Sequence, residues 1–156
     1  MPNSNYQLDI SVKGYVRTLL VSALVLLAMH IALYFYNYQA EELPWLLLQM
    51  FDLDEENNLP TWFSSFLLLN CAFFLYIFST AEQTQKELHW RLMAAGFFLL
   101  AIDEVAGLHE TFNSSIEINW AIPAAILVLL VGIAFVPFLL SLPRRLALLF
   151  MLSGFL

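Results

Sequence analysis

Charge is scarce in this chain of 156 residues. Asp, Glu, Lys and Arg together make up 12% of it, while hydrophobic residues make up 61%. Soluble domains carry about a quarter charged residues, so the composition excludes an ordinary soluble domain and indicates an integral membrane protein. Basic residues are the rarest class, six against 13 acids for a net charge of −7. Nucleic-acid binding is excluded with them, because phosphate contacts need clustered Lys and Arg. The single cysteine, Cys71, rules out an internal disulfide and a Cys-based zinc cluster, and it reads as a small buried hydrophobe. Catalytic signatures are missing too. There is no G-x-S-x-G, no Walker loop, no dinucleotide fingerprint, and Asn113 stands where H-E-x-x-H would need its second His after His109-Glu110. No enzyme class is spelled out.

Long apolar runs are what the chain does contain. Leu19 to Tyr36, Trp62 to Phe78 and Trp120 to Leu140 each approach the ~20 residues that cross ~30 Å of hydrocarbon. The first is followed by Tyr34-Phe35-Tyr36-Asn37-Tyr38 and not by a small-residue cleavage site, so it reads as a retained helix. A fourth stretch, Leu92 to Ile102, covers only about 16 Å as helix. To cross, it must continue through Asp103-Glu104-Val105-Ala106-Gly107-Leu108-His109-Glu110.

The bases test that fourth crossing. With crossings at 18–38, 61–79, 90–110 and 119–142, Lys13, Arg17, Lys86, Arg91, Arg144 and Arg145 all fall on one side, as cytoplasmic Lys and Arg do. The expected fold is therefore an all-α polytopic bundle forming one transmembrane domain. It has a cytoplasmic N-terminus, four full crossings and the start of a fifth at 146–156. An outer loop at 39–60 carries a short interfacial helix at 44–51, and the lipid bilayer is the first partner.

Acid collects on the opposite side: Glu41, Glu42, Asp52, Asp54, Glu55, Glu56, Asp103, Glu104, Glu110 and Glu117, with no base among them. Sorting of bases to the inner side explains the sign by itself, while the resulting field attracts cations or basic protein surfaces. Asp52, Asp54, Glu56 and Asn58 alternate like the start of a calcium loop. An EF-hand would need glycine at its sixth place and an acid at its twelfth, where Asn57 and Phe63 stand. A solvated acidic turn before Pro60 accounts for the segment, with Asp54 as a donor to a looser oxygen site.

The acids at 103 and 104 are different in kind. Twelve residues beyond Arg91, or roughly 18 Å along a helix, they would lie within the outer third of the hydrocarbon layer. Ionisable groups there cost about 2.5–3.5 kcal/mol each and normally face a partner. On one straight helix Asp103 and Glu110 share a face across Ala106 and Gly107, with Glu104 and His109 to either side, so convergence of all four requires distortion at Gly107 or help from other segments. Carboxylates with one imidazole suit iron, manganese or zinc, and an oxygen-only subset suits calcium. A proton-sharing acid pair and a purely structural hydrogen-bond network compete with that reading. His30, alone in the first helix, is a candidate cofactor ligand, with a hydrogen-bonded core histidine as its plainer reading.

Two segments together carry a family resemblance: Asp54-Glu55-Glu56-Asn57-Asn58-Leu59-Pro60-Thr61-Trp62-Phe63-Ser64 and Ile102-Asp103-Glu104-Val105-Ala106-Gly107-Leu108-His109-Glu110. The chain resembles, over roughly residues 45 to 112, a group of bacterial multi-pass membrane proteins with no assigned activity. The resemblance implies a helical bundle in the bacterial inner membrane, continuing into a further Glu-bearing helix. The functional expectation is an outward-facing metal site built on Asp103, Glu104, His109 and Glu110 with Asp54. The rival is a non-catalytic accessory subunit of a respiratory or photosynthetic complex, docking other membrane subunits or a basic soluble protein through its acidic face.

Overall fold

The computed structural model describes residues 11–81, 86–115 and 119–155, and every regular element among them is an α-helix. In chain order these are α1 (Val12–Gln39), α2 (Trp45–Phe51), α3 (Leu59–Ala81), α4 (Glu87–Ala106), α5 (Leu108–Ser115), α6 (Ala121–Leu140) and α7 (Arg144–Phe155). The chain divides into two compact units, Met1–Phe63 and Ser64–Leu156.

In the first unit α1 starts at a capped end, where the Ser11 hydroxyl accepts the Gly14 N–H at 3.3 Å and satisfies a donor left open by the first turn. No residue of α1 is buried, although the helix carries apolar side chains on every face. The linker to α2 is tied back by Asn37, whose Oδ1 accepts the Leu43 N–H at 2.7 Å. Pro44, with φ fixed at −53°, stands just before α2 and leads the chain into its first turn.

The second unit has a small packed core. Leu75 of α3, Trp90 and Ala94 of α4, Phe138 of α6 and Leu142 bury against one another. Trp90 meets Phe138 edge to face at 4.9 Å, a favoured aromatic geometry. Two polar ties hold the helices: Ser65 Oγ donates to the Ala101 carbonyl at 2.7 Å, and Lys86 Nζ donates to the Ser141 carbonyl at 3.0 Å. The second of these places a cation on the carbonyl-rich end of α6. Cys71, expected to be buried, is exposed on α3.

Among the described residues three helices, α1, α3 and α6, are long and apolar enough to cross a membrane, compatible with a membrane protein. Of the expected four full crossings and start of a fifth, three helices meet that length and apolarity, and α4 and α7 fall short of it. α4 has 20 residues, but Glu87, Arg91, Asp103 and Glu104 dilute its apolar run. It also stops short of the expected 110, because Gly107 takes up left-handed geometry (φ 56°, ψ 38°) and its N–H closes on the Asp103 carbonyl at 2.8 Å. Glycine adopts that conformation without the steric penalty of a Cβ, so the helix ends there and α5 begins afresh. α7, with 12 residues, is too short to span.

Candidate functional site

The break at Gly107 decides what Asp103 can reach. One carboxylate oxygen accepts the His109 backbone N–H at 3.0 Å, and the other lies 3.1 Å from His109 Nδ1. Asp103 thus bridges the two helices, satisfying one of the open donors in the first turn of α5 as a capping carboxylate does. The same contact orients the imidazole: with Nδ1 protonated it donates to Asp103, which makes Nε2 the basic nitrogen. The ring also lies 5.0 Å from the Trp120 ring. Both side chains keep about a quarter of their surface exposed, 24% for His109 and 28% for Asp103.

Of the expected ligands, then, the structure brings Asp103 and His109 together and leaves Glu104 and Glu110 out of that contact. Glu104 is half-buried on α4, and Glu110 is exposed in the first turn of α5. Among the described residues no three His, Cys, Asp or Glu side chains gather as a metal site. Both Asp103 oxygens already serve His109. The donor set therefore fits a closed metal centre poorly, and what it forms is a carboxylate–imidazole pair pinned across a helix break.

The first unit holds a second such pair. His30 Nδ1 lies 3.2 Å from the Phe51 carbonyl, 3.3 Å from the Leu53 N–H and 3.7 Å from Asp52 Oδ1. Protonated at Nδ1, the ring donates to Phe51; protonated at Nε2, it accepts from Leu53. Either way the nitrogen fixes the end of α2 to α1. The Tyr34 ring packs 4.7 Å from the imidazole, and its hydroxyl donates to Asp52 Oδ2. That hydrogen bond, followed by the Asp54 N–H donated to Oδ1 at 3.0 Å, holds the Asp52 carboxyl below the usual carboxylate range. Asp54 itself is exposed and contributes its backbone.

Beneath the acids lies Asn58, buried to 2% exposure. Its amide nitrogen is within 3.0 Å of the Gln49 carbonyl, 2.6 Å of Asp52 and 2.9 Å of Glu55, and its Oδ1 accepts the Thr61 N–H at 3.1 Å and the Thr61 hydroxyl at 3.0 Å. One side chain thus closes the 52–58 turn and caps α3. The turn expected to be merely solvated is organised from within. Asn57 beside it has φ 59°, a conformation asparagine tolerates better than most residues. Asn58 and Tyr34 are the residues that sequence reasoning missed as organisers. For Asn58 a signal exists, an asparagine just before a proline-bearing first helical turn. For Tyr34 there is none, since its partner lies 18 residues away.

The chain belongs to a protein family: the model described as Domain of unknown function (DUF8692) matches residues 18–156. No curated protein and no solved structure matches it.

Proposed function

We propose that this member of the family is a multi-pass protein of the bacterial inner membrane that works as a non-catalytic subunit, docking a basic partner through its acidic outer segments. Counting α4 as a crossing, with the N-terminus cytoplasmic and α7 beginning a fifth, puts every base on the inner side. The observation that carries the reading is how the acids are used. Asp52 and Asp103 are committed to internal hydrogen bonds, while Glu41, Glu42, Asp54, Glu55 and Glu110 are exposed. No Lys or Arg occurs between Arg17 and Lys86 to neutralise the first acidic segment. Such a surface steers and holds a basic protein through a field that salt screens within about 8 Å at physiological ionic strength.

The test is recovery of the chain from native membranes in mild detergent at low salt. A basic protein should accompany it in fixed ratio, leave as salt is raised, and be lost when Glu41, Glu42 and Glu55 are changed together to Lys. Recovery of the chain alone at low salt rejects the reading.

A second reading is supported by the Asp103–His109 contact, the arrangement by which a carboxylate orients a histidine toward a metal. Iron, manganese or zinc on His109, with Glu104 or Glu110 as further donors, is the chemistry that would follow. Elemental analysis of the purified protein decides it. Stoichiometric metal that disappears with Asp103→Ala and Glu110→Ala supports it, and metal-free wild-type protein overturns it.

A further inference from the structure

Between α3 and α4 the second unit has an open groove of about 630 Å³, lined by Leu69, Ala72 and Tyr76 on one side and Arg91, Ala95 and Phe98 on the other. Its two walls run in opposite directions, because Ser65 near the start of α3 bonds to Ala101 near the end of α4. Tyr76 and Arg91 therefore stand at one end of the groove. Leu69 and Phe98, each seven residues away, stand about 10 Å along it. The floor between them is kept open by alanine, where larger side chains would close it.

We infer that this groove is a binding site for an anionic phospholipid, its headgroup phosphate at Arg91 and Tyr76 and an acyl chain along Ala72 and Ala95 toward Leu69 and Phe98. Polarity carries the assignment. The walls of the groove are almost wholly apolar, and Arg91 and Tyr76 stand beside its one end only, which matches the division of a phospholipid into a buried tail and a charged head left outside. Basic pockets between membrane helices on the cytoplasmic side bind anionic headgroups, and Arg91 lies on that side of the topology proposed above. Arg91 is already paired with Glu87 one turn before it, and its side chain is 53% exposed. A guanidinium has five donors, however, and one carboxylate occupies at most two, so the remainder can take a phosphate in the bidentate manner that suits arginine. The Glu87 carboxylate then competes with the phosphate, which makes it a useful control. The volume lies within the range of sites that enclose a small ligand.

The inference rests on α4 lying in the bilayer, and the experiment separates that premise from the headgroup assignment. The full chain is titrated in mild detergent with dioleoylphosphatidylglycerol and, separately, with dioleoylphosphatidylcholine, and bound lipid is counted by native mass spectrometry. The wild type should retain one phosphatidylglycerol with about a fivefold preference over phosphatidylcholine. Arg91→Gln should abolish the preference while leaving the weaker binding of phosphatidylcholine. Glu87→Gln should increase the preference, an outcome that general damage to the fold would not produce. Ala95→Phe should block both lipids. Equal binding of the two lipids by the wild type, or a preference untouched by Arg91→Gln, overturns the headgroup assignment alone. Binding of neither lipid overturns the membrane placement of α4 with it, whereas a dimer or partner helix that fills the groove and excludes lipid overturns the lipid assignment alone.

Discussion

The two units each set an imidazole against an aspartate, and they do so by opposite routes. In the second unit the pair is local: Asp103 and His109 are six residues apart, and the contact exists because one glycine ends a helix between them. In the first unit His30 sits within a 28-residue helix, and its aspartate arrives on a loop folded back from beyond α2. The local pair depends on a single backbone conformation. The distant pair depends on a loop whose shape is set by a third residue, Asn58. Stability of a polar contact thus resides outside the contact in both cases, in the element that brings its partners within reach.

That comparison is sharpest at Asn58. Asn58→Ala would take the amide donor from the Gln49, Asp52 and Glu55 carbonyls, of which Gln49 keeps the Asp52 N–H and Glu55 the Thr61 hydroxyl, and would uncap α3; an unsatisfied buried group costs about 1–3 kcal/mol. We expect a loss of about 3 kcal/mol, seen as a lower unfolding midpoint in detergent and as faster amide exchange through 52–61. The Asp103–His109 region should be unaffected; coupled loss of protection at both would break the contrast.

At the other pair the sensitive position is Gly107. Gly107→Ala forces a Cβ into left-handed geometry and should destabilise the α4–α5 junction by about 1–2 kcal/mol, with amide exchange rising at 107–111 and not at 52–61. Asp103→Ala removes the bridge itself and should cost about 1 kcal/mol, as loss of a capping side chain does. Asp103→Asn should cost less, since asparagine also accepts the His109 N–H. The difference between the two variants isolates the carboxylate–imidazole part, and equal effects would show that part to be negligible.

The smallest effect is a pH dependence confined to the first unit. The Asp52 carboxyl is held below its usual range in the folded protein, so the folded state binds fewer protons there than the unfolded chain. Its contribution is fully present above the ordinary carboxylate value of about 3.9 and is lost as pH falls through the lower folded value. Tyr34→Phe removes the leading cause and should move the Asp52 titration up toward the ordinary value, measured by carboxyl-carbon NMR shifts. An unchanged titration would mean that the Asp54 N–H, and not the phenol, holds the carboxylate.

Much of the architecture was legible from residue pattern. Apolar runs of membrane length mark α1, α3 and α6, because hydrophobicity integrated over some 20 residues is a property of composition that packing does not alter. The stretch after Arg91 was harder. Its apolar part is too short to span, and whether the acids beyond it continue the helix depends on one torsion at Gly107, which the residue type permits without requiring. The expected convergence of Asp103 with Glu110 assumed a straight helix, and the break replaces Glu110 with His109 as the partner.

What the sequence determined alone, then, is the helical class, the apolar segments and the excess of acid over base, since each follows from residue type summed along the chain. What only the tertiary structure decided is which acids are used and which are left exposed. Asp52 meets Tyr34 and His30, and Asp103 meets His109, through a turn closed by Asn58 in one unit and a helix end at Gly107 in the other. Hydrogen bonds are short-ranged and directional, so a shift of one turn in either element assigns the carboxylates to other partners.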